Sequence, residues 1–248
     1  MTLEQFFAEN REVAVAFSGG VDSAYLLYAA TRYAARVKAY YVSTAFQPEF
    51  ELVDARRLAD ELGADMLVLH VDVLSNSAVT ANPSDRCYHC KNTLFRQILR
   101  AAENDGFPVL LDGTNASDDA GDRPGMRALR ELSVRSPLRE CGLTKAEIRR
   151  LSREAGLFTW DKPAYACLST RIRTGEEITL QKLKQTEKAE GFLFGLGFRD
   201  FRVRMVDNTA KLELRETDLP LLLENREKIV TELRKDYDSV LLNLEVRK

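Results

Sequence analysis

Ser18-Gly19-Gly20-Val21-Asp22-Ser23 decides how this chain is read. It follows the apolar run Val13-Ala14-Val15-Ala16-Phe17 and precedes a helix-forming stretch, Ala24 to Ala35. A strand, a glycine turn and a helix start together make an anion cradle. Glycine backbone approaches an anion closely and takes φ values that a Cβ forbids. The first helical turn adds unpaired N–H groups and the positive end of its dipole. Ser18 and Ser23 contribute hydroxyl donors. Asp22 is a poor anion ligand alone, which points to a bound cation or an orienting role. A plain helix cap with a tight turn is the competing reading of the same six residues.

The loop is neither of two familiar nucleotide motifs. A Gly-x-x-x-x-Gly-Lys-Ser/Thr phosphate loop needs a lysine, and none lies between Gly20 and Lys38. The Gly-x-Gly-x-x-Gly dinucleotide spacing is absent too. Outward from the loop, strands and helices alternate. Val37–Val42, Met66–Val71 and Pro108–Leu111 read as further strands. Glu49 to Leu62 reads as an amphipathic helix capped by Gly63, and Lys91 to Glu103 as another helix. Continuous apolar strands between helices predict a parallel sheet covered on both faces. Ligands of such sheets bind beyond the carboxyl ends of the strands. Ser18, Ser43 and Asp112-Gly113-Thr114-Asn115 all fall there. Gly113 gives backbone access, and Thr114, Asn115 and Asp118 offer oxygens to ribose, phosphate or Mg²⁺. An Asx-rich loop capping the next helix is the alternative.

Lys145 to Ala155 is a helix with Thr144 as its N-cap. Trp160 to Gly175 lacks periodicity and reads as a loop over the site. From about Ile178 the pattern changes to a helix (Thr179 to Leu193), a hairpin turning at Asp207-Asn208, a helix (Asp218 to Lys235) and a last strand (Ser239 to Val246). The expected organisation is a domain over residues 1–170 and a smaller α+β domain over 171–248.

Charge is nearly balanced, 36 Lys+Arg against 38 Asp+Glu, where a dedicated nucleic-acid binder shows a basic excess. The opening residues lack a basic, apolar leader, and no apolar run spans a bilayer. A cytoplasmic protein is expected, whose cysteines serve catalysis or metal binding more readily than disulfides.

The six-residue loop resembles the PP-loop of ATP pyrophosphatases. With Asp112-Gly113-Thr114-Asn115, Gly121-Asp122-Arg123-Pro124-Gly125, Ser136-Pro137-Leu138, Lys162-Pro163 through Ala166-Cys167-Leu168, and Phe201-Arg202-Val203-Arg204, the chain resembles the LarE family over nearly its whole length. Those are ATP-dependent sulfur transferases that make the nickel-pincer nucleotide cofactor. The resemblance implies an α/β fold, a parallel-sheet PP-loop (adenine nucleotide alpha hydrolase-like) domain followed by the small α+β domain. It implies adenylation of a carboxylate of pyridinium-3,5-biscarboxylic acid mononucleotide, release of pyrophosphate, and displacement of AMP by sulfur. ATP and Mg²⁺ are the implied cofactors at Ser18, Gly19, Gly20, Asp22, Ser23, Ser43, Gly113, Thr114, Asn115 and Asp118. A homo-oligomer, such as a hexamer, is implied as well.

Cys87-Tyr88-His89-Cys90 opens a helix, and Cys167 lies far downstream. In single-cysteine relatives the position of Cys167 bears the sulfur, is sacrificed and ends as dehydroalanine. The additional Cys87 and Cys90 resemble the subgroup that holds a [4Fe–4S] cluster on three cysteines. Thiolates are the normal ligands of such clusters, and three leave one iron open to carry sulfide. Half a zinc knuckle completed by Cys141, Cys167 or His89, a redox pair, and no function at all are the other readings.

For a substrate with two carboxylates and a phosphate, guanidinium groups are the natural partners. Arg202 and Arg204 alternate along a strand and so share a face, which a solvated surface also explains. The family match favours phosphate binding there, with Glu190 and Glu213 orienting the arginines or holding a cation. Val206 stands where relatives tend to have histidine. Arg171 and Arg123 are further anion candidates. Rival readings are a tRNA thiolase, an ammonia-dependent ligase of the NAD synthase kind, and a nucleotide or cluster sensor.

Overall fold

Residues 1–118 and 124–247 are described by the computed structural model; Gly121, Asp122 and Arg123, named above, lie outside them. Contacts divide the chain into two units, Met1–Val73 with Asp85–Ala164, and Leu74–Ser84 with Tyr165–Lys248.

The first unit opens with α1 (Leu3–Glu9), whose Thr2 and Gln5 form a reciprocal capping box. That Thr-x-x-Gln signal is present in the sequence, yet the reading above assigned no helix there. β1 (Glu12–Ala16), α2 (Val21–Tyr33), β2 (Arg36–Ser43), α3 (Glu49–Leu62) and β3 (Met66–His70) follow. The chain then leaves for the second unit through α4 (Ser77–Thr80). It returns with α5 (Arg86–Asn104), β4 (Val109–Leu111), α6 (Pro124–Glu131), α7 (Pro137–Glu140) and α8 (Lys145–Glu154). The sheet is parallel, in the order β3-β2-β1-β4. β1 is central, and its two faces feed two cores. Val13 and Val15 pack with Phe6, Phe7 and Leu27, while Ala14 packs with Tyr40, Ile98 and Phe107. That is why the strand is apolar without alternation. Burying each of Phe6 and Phe7 contributes about 1.5–3 kcal/mol. After β1 the chain builds β2 and β3 to one side and β4 to the other. The loops after β1 and β4 therefore flank the switch point where open α/β sheets bind ligands.

In the second unit, α9 (Leu180–Gly195) covers a sheet of β5 (Arg202–Val206), β6 (Thr209–Glu213) and, after α10 (Leu219–Glu224) and α11 (Arg226–Leu233), β7 (Ser239–Leu242). Leu193, Phe198, Phe201, Val203 and Met205 form its core. Asp207 and Asn208 turn the β5–β6 hairpin with φ of 47° and 60°, the left-handed pair that two-residue hairpins require. The single helix expected over 218–235 is two, meeting at Asn225, whose φ of −101° and ψ of 9° leave helical geometry while its N–H and its side-chain amide both donate to Leu221 O.

A single cut near residue 170 does not describe these units. Leu74–Ser84 joins the second unit because Asn82 donates its side-chain amide to Arg173 O (2.8 Å) and accepts from Gly175 N (2.8 Å), while Ile178 N donates to Thr80 O (2.8 Å). Nothing local to residues 74–84 announces those partners.

Candidate active site

The loop after β1 is held by its own atoms. Gly19 has φ +74°, a conformation that strains any residue with a Cβ. The hydroxyls of Ser18 and Ser23 lie 3.0 Å apart; Ser18 N donates to Ser23 Oγ (3.2 Å), and Ser23 Oγ donates to Gly20 O (3.2 Å). The two serines read above as anion donors thus knit the loop. Gly20 caps α2, whose first-turn N–H groups have no intrahelical acceptor.

The loop after β4 lies against it. A Cβ built on Gly113 would sit 2.9 Å from Ser23 N and 3.1 Å from Ser23 Cα, so only glycine fits. Asp112 is buried and accepts from Thr114 Oγ1 and from Ser136 Oγ (2.6 Å). Asn115 Oδ1 accepts from Ser117 N (2.8 Å), and Asp118 Oδ2 from Asn115 N (2.9 Å). The polar groups of this segment therefore shape the loop among themselves, and its backbone is what meets the first loop. Ser43 ends β2, where its carbonyl accepts from Val71 N (3.0 Å).

The loop lacks a lysine, but two reach it from far along the chain. Lys145 Nζ donates to Asp22 Oδ2 (2.6 Å). Lys162 Nζ lies 3.5 Å from Gly19 O, 2.7 Å from Asp54 Oδ2 and 3.8 Å from Glu51 Oε1. Burial raises the Glu51 pKa, with Lys162 pulling it down and Asp54 pushing it up. The reading above gave neither lysine a role. One signal was present: Lys145 is the first residue of α8, where the helix dipole disfavours a cation. The other Asp22 oxygen, Oδ1, is buried without a protein hydrogen bond. A buried carboxylate oxygen left open beside a phosphate cradle suits a hard cation such as Mg²⁺, and the loop pair suits a nucleotide's phosphates.

In the second unit, Cys167 precedes a short 3₁₀ turn, Leu168–Arg171, with its Sγ 3.0 Å from Ser169 Oγ. Arg171 and Glu190 are buried and paired in a two-point contact (2.8 and 3.0 Å). Burial works against the Arg171 charge, but the Glu190 carboxylate outweighs it and raises its pKa. Arg202 is buried too, whereas the Arg204 side chain on the same strand face is 41% exposed. Its pKa is lowered by burial and by the nearby Arg171 and Arg247 charges. Arg204, on the same face, donates to Glu213 Oε1 (2.7 Å) and Thr170 O (2.7 Å). Arg247, absent from the sequence reading, has a buried Nε without a protein acceptor. Asp200 lies 3.2 Å from Arg247 and 3.9 Å from Arg202 and offsets part of this charge, leaving the Arg247 Nε as an open donor for an anion.

The chain is similar to known proteins over most of its length. The asparagine synthase family model matches residues 4–118. An uncharacterised protein of Synechocystis is 40% identical over 86% of this chain and 80% of its own length. A pyridinium-3,5-bisthiocarboxylic acid mononucleotide synthase of Lactiplantibacillus plantarum is 34% identical over 87% of this chain and 79% of its own length. The chain belongs to the LarE family. It is accordingly an ATP-dependent sulfurtransferase, with an asparagine-synthase-type nucleotide domain. A tRNA-specific 2-thiouridylase of Thermotoga petrophila is more distant, 26% identical over 59% of this chain and 52% of its own.

For a LarE-family protein the cysteines matter most. Cys87 and Cys90 lie one turn apart on α5, with Cys87 exposed. Cys87, Lys91, Thr114 and Asp118 line a cavity of about 350 Å³ in the first unit. Cys167 belongs to the second unit. Among the described residues no group of three or more His, Cys, Asp or Glu side chains is arranged to hold a metal ion. Of the set expected for a cluster, Cys87 and Cys90 thus belong to the first unit and Cys167 to the second. Cys141 is half-buried, and burial pushes its thiol pKa up.

Proposed function

We propose that this protein adenylates a carboxylate of pyridinium-3,5-biscarboxylic acid mononucleotide with ATP and then replaces the carboxylate oxygen with sulfur. One carboxylate oxygen attacks the α-phosphorus, pyrophosphate leaves, and an acyl adenylate remains. A sulfur nucleophile attacks the acyl carbon and AMP leaves with that oxygen. Adenylation is required because a carboxylate is inert to thiolate until its oxygen becomes a good leaving group. The approach of Gly113 to Ser23 carries the nucleotide half of this reading, because it joins the two loops at the switch point of the sheet. Asp22 would hold Mg²⁺ through its open oxygen, and Lys145 would balance the phosphates. Mg²⁺ supplies charge neutralisation at the phosphates. Arg202 and Arg204 would receive the substrate's phosphate, supported by the crowding of cations around Arg202.

Cys167 is the residue proposed to deliver sulfur. A [4Fe–4S] cluster on Cys87, Cys90 and Cys167 would make delivery repeatable, and the helical spacing of Cys87 and Cys90 supports two of those ligands. Without it Cys167 would give up its own sulfur once and become dehydroalanine. A homo-oligomer working in the cytoplasm on a small molecule, rather than on nucleic acid, completes the proposal. Near-balanced charge supports it, and no helix among the described residues is long and apolar enough to cross a membrane.

The deciding experiment supplies ATP, Mg²⁺ and the dicarboxylate mononucleotide and follows AMP and thiocarboxylate by mass spectrometry. Both should form, and Cys167→Ala should form AMP without thiocarboxylate. No AMP with this substrate would sink the reading; AMP with tRNA instead would favour the thiouridylase chemistry. For the cluster, Cys87→Ala should lose the brown colour of anaerobically reconstituted protein, and full iron retention would remove it.

A further inference from the structure

Cys167 sits between two residues that grip one carboxylate. Tyr165, just before it, donates its hydroxyl to Glu190 Oε2. Arg171, just after it, donates Nε to Glu190 Oε1 (2.8 Å) and Nη2 to Oε2 (3.0 Å). Glu190 Oε1 also accepts from Val203 N (2.9 Å), between Arg202 and Arg204 on β5. A carboxylate offers about four lone-pair sites, and these four donors occupy them. Arg171 then turns back on the loop, where its Nη1 donates to Ala166 O (2.9 Å) and Thr170 Oγ1 (2.8 Å). Glu190 and Arg171 are each 1% exposed.

A buried ion pair is a poor source of stability, because desolvating two charges offsets most of their attraction. What it supplies is geometry: a planar fork matched to a planar carboxylate, with little freedom left. Burial and the Glu190 charge both raise the Tyr165 pKa, so its hydroxyl stays a donor. The residues before and after Cys167 and the strand bearing both arginines are thus referred to one side chain on α9.

We propose that Glu190 is the positioning residue for the Cys167 thiol, holding its loop at both ends through Tyr165 and Arg171 and fixing it relative to β5. This rests on the reading of Cys167 as the sulfur-bearing residue. In this assignment Arg171 and Glu190 act through the loop and not on the substrate. Reactions of this kind lose up to a hundredfold when a reacting group is misplaced by about 1 Å.

The test compares Tyr165→Phe, which keeps the ring stacked under Arg171 and Arg202, with Glu190→Gln, which keeps shape and removes charge. Iodoacetamide labelling read peptide by peptide gives the rate at Cys167 relative to Cys87 in the same molecules, without ATP or substrate. A freed loop should raise that ratio about threefold in Tyr165→Phe and about tenfold in Glu190→Gln, the scale on which lost hydrogen bonds shift a local opening equilibrium. Thiocarboxylate made per AMP released should fall in the same order, with Cys141 remaining slow to label. An unchanged ratio in folded Tyr165→Phe protein overturns the clamp, even if Glu190→Gln fails to fold. Equal acceleration at all labelled thiols also overturns it, because that reports general loosening. A Cys167→Ser protein that still makes thiocarboxylate overturns the sulfur reading and with it the clamp's catalytic sense, a result the labelling ratio does not mimic.

Discussion

The loop after β1 keeps its shape with its own backbone: Gly19 at φ +74°, a helix starting at Val21, and two serines bonded to each other. The loop around Cys167 has a local 3₁₀ turn, with Thr170 N donating to Cys167 O (2.9 Å), but its ends are tied from outside the turn. It takes its shape from Glu190 on α9 and from the Arg171 and Tyr165 side chains that meet there. A backbone-built loop keeps its fold when a side chain's chemistry changes but not when a Cβ is added where there is no room. A site built from side chains tolerates bulk at its rim but not the loss of one polar partner. The chemistry follows the same division, since phosphates are bound by N–H groups and glycine space, whereas a thiol has to be aimed.

Asp22→Ala should have the largest effect. AMP formation should fall on the order of a hundredfold to a thousandfold, as when one charge-stabilising group is removed, while circular dichroism stays unchanged. AMP at the normal rate would mean that the loop needs no side chain at all. Gly113→Ala comes next. A Cβ 2.9 Å from Ser23 N forces backbone to move, so unfolding free energy should drop by about 1–3 kcal/mol and calorimetric ATP affinity should fall with it. Gly63→Ala is its control: Gly63 has φ +60° but open space around it. It should cost about 1 kcal/mol and leave ATP affinity alone. If both variants behave alike, close approach is not what glycine supplies at 113.

Lys145→Met should weaken ATP binding about tenfold, the scale of one hydrogen bond to a charged group; unchanged calorimetric affinity would confine Lys145 to holding Asp22. The smallest effect lies behind the β4 loop. Hydrogen bonding from Arg135, helped by Ser136 N, holds the Glu140 carboxyl below its ordinary range. Because the folded value is the lower one, its contribution is present above the unfolded pKa and fades as pH falls through the folded one. Glu140→Gln should therefore lose stability near neutrality and little in acid. Partial exposure limits the difference to about 0.5 kcal/mol, read from urea denaturation at about pH 7 and about pH 3.

The parallel sheet was legible because its strands are largely apolar and alternate with helices, and α3 with its Gly63 cap was readable to the residue. α1 was missed although its capping box was in plain view. The helix expected over 218–235 breaks at Asn225, where the backbone leaves helical geometry although the apolar pattern runs on. Lys162 was quoted within a motif without a task, since nothing near it in sequence shows that Asp54 and Gly19 O await it.

By itself the sequence determined the cradle, because its glycines, its serines and the helix that begins inside it are neighbours in the chain and interact through backbone geometry that local residue types dictate. Only the tertiary structure decided that Gly113 rests on Ser23, that Lys145 answers Asp22 across 123 positions, and that Arg171 and Glu190 satisfy each other. Those choices depend on which distant side chains folding brings within about 3 Å, the range at which a hydrogen bond exists at all, and no local pattern encodes that meeting.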